Sequence, residues 1–261
     1  MQHDFDIIVH KFGSEDITIY PIGDVHLGSP ECMEQEFITF INRVKDEPNS
    51  YLLLLGDLCD LGLKNALTDV YRATMPPSQQ KREMANILAP VAHKVLAAVS
   101  GNHEYRGVKE ADNDVTRDVL AKIDREDVYR ENIAFVKLQF GDRSLRGMSR
   151  PAYTLGICHG NGGGAMMSGA LLRGEKFGMC LSGDVDGLVY GHTHKNITAV
   201  NAKLHVDARN NFVTLKPFHI INSTSWLEYG GYAARKMLMP SIHNIQRITL
   251  CGDHKEMLVT M

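Results

Sequence analysis

Five short blocks of glycine with metal-ligand-type residues most constrain this sequence, because each one ends an apolar stretch. The blocks are Gly23-Asp24-Val25-His26, Gly56-Asp57, Gly101-Asn102-His103-Glu104, Cys158-His159-Gly160 and Gly191-His192-Thr193-His194. Polar ligand-type residues at the ends of apolar runs are typical of a site built on strand ends. The glycines that precede four of the blocks let the backbone turn tightly and bring the ligands inward.

The apolar runs alternate with segments of helical spacing. Runs 17–22, 51–55 and 95–99 predict buried strands, whereas 34–44 and 79–91 predict helices. This order indicates βαβ units and a largely parallel sheet. In the second half, 134–140, 152–158 and 188–190 predict strands, and 197–226 and 245–259 predict short strands and turns that build a second sheet. We therefore expect an α/β fold, a four-layer α/β/β/α sandwich with two mixed sheets.

No internal repeat or long linker divides the sequence, so residues 1–261 are predicted to form a single domain. Residues 61–78, which include Pro76-Pro77, are longer than a simple connection requires. They are interpreted as a flap over the site or a surface excursion.

The side chains in the five blocks suit divalent transition metals and are numerous enough for two ions. Asp57 has two carboxylate oxygens and could bridge both. Two ions roughly 3.5–4 Å apart clamp a phosphoryl group during displacement. The candidate ligands are Asp24, His26, Asp57, Asn102, His159, His192 and His194.

Composition narrows the partners. The net charge is −3, whereas proteins that hold a long duplex usually carry an excess of basic residues. The charge therefore favours a small phosphorylated substrate. No apolar run has the length of a membrane span, and no secretory signal is recognised at the start. Five cysteines without a C-x-x-C pair favour a reducing cytoplasm. Five basic residues either form a local positive rim or lie on a solvated surface: Arg143, Arg146, Arg150, Arg173 and Lys176.

The five blocks resemble, in order, the signature of the calcineurin-like metallophosphoesterases: D-x-H, G-D, G-N-H-[DE], H and G-H-x-H. This signature spans residues 24 to 194, about two thirds of the chain. The resemblance implies a metal-bound hydroxide as nucleophile and His103 as the catalytic histidine beside the scissile phosphate. It implies a first ion on Asp24, His26, Asp57 and His194, and a second on Asp57, Asn102, His159 and His192. Manganese is expected in vitro, with iron, zinc or nickel as alternatives.

Departures from relatives bear on the ester class. The second block runs Gly56-Asp57-Leu58-Cys59-Asp60-Leu61-Gly62, with Leu61 where the similar protein phosphatases have a phosphate-gripping arginine. The D-x-H-L-G form of the first block is more similar to the phosphodiesterase and nuclease branch. Hydrolysis of phosphodiester bonds in a nucleotide or nucleic acid is therefore the favoured prediction. Arg106 is predicted to bind substrate if it replaces the missing clamp.

Two alternatives stay open: a phosphomonoesterase acting on a nucleotide or phosphoprotein, and an inactive metal-containing binding protein. Residues 161–167, rich in glycine, are either a phosphate- or base-binding loop or a flexible connection. Aromatic residues that could stack on a base, or pack in the core, are Trp226, Tyr229 and Tyr232. The oligomeric state is not predicted.

Overall fold

The structure is a computed structural model that describes residues 6–62, 70–141, 150–162, 166–181 and 183–261. Twelve strands are found in these ranges: β1 Ile7–Lys11, β2 Ile17–Ile22, β3 Ser50–Leu54, β4 Val95–Val99, β5 Tyr129–Arg130, β6 Ile133–Gln139, β7 Ala152–Cys158, β8 Gly187–Tyr190, β9 Ile197–Asp207, β10 Phe212–Asn222, β11 Arg247–Leu250 and β12 Met257–Thr260. The α-helices described are α1 Glu34–Asp46, α2 Pro77–Leu88, α3 Asn102–Ala111, α4 Val115–Lys122, α5 Met167–Cys180 and α6 Gly231–Arg235. Short 3-10 helices occupy Val70–Arg72, Ala89–Lys94 and Glu126–Val128.

The strands form two mixed sheets within the described ranges. The first sheet has the order β12-β11-β2-β3-β4-β5, and its members β2 to β5 run parallel. Every residue of β2 and β4 is buried, as expected for parallel strands covered on both faces. The second sheet has the order β1-β6-β7-β8-β10-β9, with β7, β8 and β10 parallel.

Helices cover the outer face of each sheet. Helix α1 contacts β3, α2 packs beside α1, and α4 packs beside α2, whereas α5 packs on β8, β9 and β10. Between the sheets, side chains such as Leu54 from the first and Leu155 from the second share one hydrophobic cluster. The predicted four-layer sandwich with two mixed sheets is confirmed.

The second half of the chain departs from the prediction in two places. Strands β11 and β12 extend the first sheet, because β11 pairs with β2. Residues 197–226 hold two strands of 11 residues each rather than several short ones. Polar residues such as Lys203 and Lys216 interrupt the apolar pattern, but cross-strand backbone bonds keep β9 and β10 paired throughout.

Several other expectations meet the structure here. Residues 63–69 of the proposed flap lie outside the described ranges, and α2 already begins at Pro77. All five cysteines are described and are free thiols. Among the described residues, no helix has the length and apolar character needed to cross a membrane. The expectation that residues 1–261 form a single domain stays a prediction.

Candidate metal centre

Five strand ends place the candidate ligands at one edge of the sandwich. Asp24 follows β2, Asp57 follows β3 and Asn102 follows β4, all within three residues of the strand. His159 directly follows β7, and His192 follows β8 by two residues. Because β2, β3 and β4 are parallel, and so are β7 and β8, their carboxyl ends meet.

The first cluster consists of Asp24, His26 and His194, whose ligand atoms lie within 4.8 Å of one another. Nε2 of His194 is 3.2 Å from Oδ1 of Asp24, and Nε2 of His26 is 3.9 Å from it. The other carboxylate oxygen, Oδ2, accepts a hydrogen bond from the backbone N–H of His192 at 2.8 Å. One oxygen of Asp24 therefore holds the loop while Oδ1 faces the cluster.

The second cluster consists of Asp57, His159 and His192, joined by Asn102. Oδ1 of Asn102 lies 2.9 Å from Nε2 of His159 and 2.7 Å from Nδ1 of His192. The opposite ring nitrogen of His159, Nδ1, donates to the carbonyl of Leu55 at 2.7 Å. In the neutral ring this bond leaves the Nε2 lone pair directed at the cluster.

Asp57 connects the two clusters. Its Oδ2 lies 3.3 Å from Nε2 of His159 in the second cluster and 3.8 Å from Nε2 of His26 in the first. Its Oδ1 accepts the backbone N–H of His103 at 2.8 Å, at the start of α3. A single oxygen that faces both clusters has the position required of a bridging ligand.

The backbone at these ligands adopts an uncommon conformation. Five of the seven candidates have positive φ angles of 50° to 70°, in the left-handed region that non-glycine residues seldom occupy. They are Asp24, His26, Asp57, His192 and His194. Such conformations persist where the surrounding structure enforces them, and they concentrate at functional sites.

Two glycines act by leaving space rather than by turning the chain. A Cβ atom on Gly101 would lie 2.2 Å from Oδ1 of Asp57, and one on Gly191 would lie 2.6 Å from Oδ2 of Asp24. Neither glycine has a positive φ angle. At these two positions a side chain would displace a carboxylate, whereas Gly56, with a φ angle of 83°, has the left-handed conformation that favours glycine.

The charges of the site suit cations. Burial raises the pKa of Asp57, but the imidazoles of His159 and His103 outweigh it and hold the pKa well below its usual range. The pKa of Asp24 is lowered too, because His194 outweighs the effect of burial. Burial alone would lower the pKa of His159, yet Asp57 raises it to about 10, so a cation held there would take the place of a proton.

His103 lies beside the clusters, with Nε2 3.8 Å from Oδ2 of Asp57. Its Nδ1 donates to the backbone carbonyl of Asp60 at 2.6 Å, so Nε2 faces the site. Oδ1 of Asp60 lies 3.5 Å from Nδ1 of both His26 and His103. Sequence reasoning missed Asp60, although its place three residues after Asp57 in the same loop was an available signal. Asp60 orients the two imidazoles.

Glu104 connects the loops that follow β3 and β4. The side chain is fully buried, and its carboxylate accepts the backbone N–H groups of Asp57 at 2.8 Å, Cys59 at 3.0 Å and Gly101 at 3.0 Å. Burial, followed by the nearby Asp57 charge, raises its pKa to about 7. Glu104 therefore supports the ligand loops through their backbone.

Glu104→Gln is expected to destabilise the fold by about 1–3 kcal/mol, because the amide nitrogen would face a backbone N–H and leave buried donors unsatisfied. Denaturant unfolding measures this loss. Glu110→Gln, at an exposed position on the same helix, is the matched control and should unfold like the wild type. Equal stability of the two variants would contradict the role given to Glu104.

The residues considered for phosphate binding lie in different environments. Leu61 is buried in the core, and its backbone N–H donates to the Gln80 side chain at 2.9 Å. This position therefore holds an apolar side chain and not a guanidinium. Arg106 lies one turn after His103 on α3, with Nη1 3.5 Å from Nδ1 of that histidine. The structure therefore brings Arg106 to the edge of the site.

The other candidate residues differ in burial. Trp226 is buried between Phe37 and Phe40, with ring centroids 5.0 and 5.3 Å away, and it packs in the core. Tyr229 is exposed. Candidates that lie outside the described part are Arg143, Arg146, the side chain of Tyr232, and residues 163–165 of the glycine-rich loop. Arg150, Arg173 and Lys176 lie within it, the last two on α5.

A separate group of ligand-type side chains lies on the β11–β12 hairpin: Cys251, His254 and Glu256. Leu250 pairs with Ile17, at the opposite end of β2 from Asp24. The group therefore lies away from the candidate centre, and His254 is not part of it.

The residues present fit divalent metals. Oδ1 of Asp24 and Nε2 of His26 are buried without a hydrogen-bond partner, although buried polar atoms normally have one. Both atoms face the first cluster, and the donor set is carboxylate, imidazole and amide oxygen. A cation is the partner that such a set lacks.

Together, the sandwich and its two adjoining donor clusters define the class of an α/β protein with a candidate metal site on its strand ends. The sequence profile described as calcineurin-like phosphoesterase matches residues 17–196. The chain therefore belongs to the calcineurin-like phosphoesterase family. No curated protein matches the chain.

One solved structure similar to this chain is the NAD nucleotidase of Haemophilus influenzae, at 10% sequence identity and a TM-score of 0.40. The similarity covers 94% of this chain and 49% of that one, so this chain spans about half the length of the nucleotidase. Similarity at this level supports no inference about substrate.

Proposed function

We propose that this protein hydrolyses phosphodiester bonds of a nucleotide or nucleic acid with two divalent metal ions. The position of Asp57 Oδ2, within 3.8 Å of nitrogens from both clusters, carries the proposal. The first ion would be held by Asp24, His26, Asp57 and His194, and the second by Asp57, Asn102, His159 and His192.

The ions would supply Lewis-acid polarisation of the phosphoryl oxygens and lower the pKa of water. The chain supplies the rest. Asp60 holds His103 through the Nδ1 proton, which leaves Nε2 to face the substrate. Burial lowers the pKa of His103 to about 4, but an anionic phosphate beside Nε2 would favour the protonated ring. His103 can then stabilise the developing charge or protonate the leaving oxygen.

Preference for a diester is supported by the buried Leu61. A monoester dianion is usually gripped by a bidentate guanidinium, and the position that carries it in related phosphatases is apolar here. A diester has one negative charge, so two cations and His103 can neutralise its transition state.

Arg106 supports a second candidate function, phosphomonoester hydrolysis. Its guanidinium lies 3.5 Å from the His103 ring and could contact a phosphate bound beside it. In that case Arg106 would take the place of the arginine that Leu61 does not provide.

With manganese, kcat/KM for bis-p-nitrophenyl phosphate is expected to exceed that for p-nitrophenyl phosphate, because no second-block guanidinium stabilises the dianion. Steady-state kinetics on both esters measures the ranking. Arg106→Ala is compared with Lys109→Ala, at an exposed position on the same helix. The reverse ranking, abolished by Arg106→Ala but not by Lys109→Ala, would establish the monoesterase instead. Turnover of neither ester would favour an inactive binding protein.

The donor set of imidazole and carboxylate supports manganese for turnover in vitro, with iron, zinc or nickel as alternatives. The free state of the five cysteines supports the cytoplasm as the compartment. Activity measured with each of the four metal ions in turn tests the preference for manganese.

A further inference from the structure

A cavity of about 370 Å³ adjoins the second donor cluster. Asn102 and His159 form part of its lining, and it continues between α3 and α5 towards β8. Its volume lies within the range of small-molecule sites in proteins. A group attached to a phosphate at the metal centre can therefore extend into it.

The walls of the cavity carry aromatic side chains that remain accessible. Phe177 on α5 is 40% exposed and Tyr105 on α3 is 50% exposed, and both line the cavity. Tyr190 forms another part of the lining, and its hydroxyl donates to the carbonyl of Ala170 at 2.9 Å. That bond fixes the Tyr190 ring against α5. Accessible aromatic rings beside a phosphate site suit a planar group that stacks.

Polar groups share the same lining. Glu131, Asn132 and Asn161 belong to it; the carboxylate of a glutamate accepts hydrogen bonds, whereas the amide of an asparagine both donates and accepts them. Nη1 of Arg173 donates to the carbonyl of Asn161 at 2.9 Å, which holds the guanidinium at the cavity wall. The mixture of stacking surfaces and hydrogen-bonding groups excludes a plain acyl chain, which would bury those polar groups without partners.

We propose that this cavity binds one unstacked nucleoside of the substrate, with its phosphate at the metal centre. The proposal rests on the proposed function and narrows its substrate to a nucleotide, or to the unpaired end of a strand. A base inside a duplex would first have to flip out of the stack, at an energetic cost that a nucleotide or an unpaired end does not incur.

Two diesters with the same leaving group test the proposal: thymidine 5′-(p-nitrophenyl phosphate) and ethyl p-nitrophenyl phosphate. The wild type is expected to show a kcat/KM about 5- to 150-fold higher for the nucleoside ester, the range that base stacking on an aromatic side chain produces. Phe177→Ala should bring this ratio towards one, and Tyr105→Ala should lower it too. Phe212→Ala, an exposed phenylalanine on β10, is the matched control and should keep the wild-type ratio.

Binding of adenosine, followed by saturation-transfer NMR, provides a readout that does not depend on turnover. Signal in the wild type and the Phe212→Ala variant that is lost in Phe177→Ala supports the cavity as the nucleoside site. Hydrolysis of both diesters with a ratio near one and no adenosine signal would overturn this inference and leave the proposed function standing. Adenosine binding that depends on Phe177, without hydrolysis of either diester, would overturn the proposed function alone.

Discussion

Asp57→Asn is expected to abolish binding of both metal ions and to lower kcat/KM by about 10³-fold or more. The substitution removes the negative charge from the oxygen that lies 3.3 Å from His159 and 3.8 Å from His26. Each cluster would lose its shared anion, and the transition-state stabilisation that two ions provide is worth several kcal/mol.

Elemental analysis after saturation with manganese measures the metal content, and is expected to give two ions per wild-type chain. Asp46→Asn is the matched control, because Asp46 lies exposed at the end of α1 and belongs to none of the ligand blocks. One ion or fewer in the wild type would sink the dinuclear site. Full metal content in Asp57→Asn would show that Asp57 is not the bridge.

His103→Ala is expected to keep both ions while kcat falls by roughly 10²–10⁴-fold, the range typical of a lost general acid. The reason is position. Nε2 of His103 is 3.8 Å from Asp57 Oδ2, and Nδ1 is engaged by the Asp60 carbonyl at 2.6 Å. The ring therefore lies beside the shared ligand without replacing any member of either cluster.

The alternative is specific, because His26, Asp60 and His103 also bring ligand atoms within 4.8 Å of one another. If metal content falls in step with activity, His103 is itself a ligand. His93→Ala, at an exposed histidine in the 3-10 helix Ala89–Lys94, should change neither metal content nor rate.

The first half of the fold could be predicted because its strands are continuous apolar runs. Strands β2 and β4 have the bounds expected for 17–22 and 95–99. A parallel strand buried on both faces carries its signal locally. Strand β1 at Ile7–Lys11 was not predicted, because it is an edge strand whose residues Ile7 and Val9 are half exposed.

The partners of the last strands could not be predicted from local pattern. Strand β11 pairs with β2 across more than 220 residues of sequence, and this pairing moves it into the first sheet. Its four residues alternate between accessible and buried positions, a pattern that predicts a strand but not its partner. Which sheet edge such a strand joins depends on contacts made by the whole fold.

Within the site, the blocks themselves predicted the residues that meet, but not how they are held. Three features hold these residues in place: the left-handed backbone at Asp24 and Asp57, the space left by Gly101, and the three N–H bonds that Glu104 accepts. All three involve segments that are distant in sequence. None of these has a local signature, since each depends on what another loop places opposite.

The amino-acid sequence by itself determined the donor side chains, their order and the strands they follow, because ligand chemistry and apolar periodicity are local properties. Tertiary structure alone decided that Asp57 faces both clusters, that Asp60 orients His103, and that a cavity lined by Phe177 adjoins Asn102. These are distances between atoms on different elements, and only the packing of two sheets and their helices sets such distances.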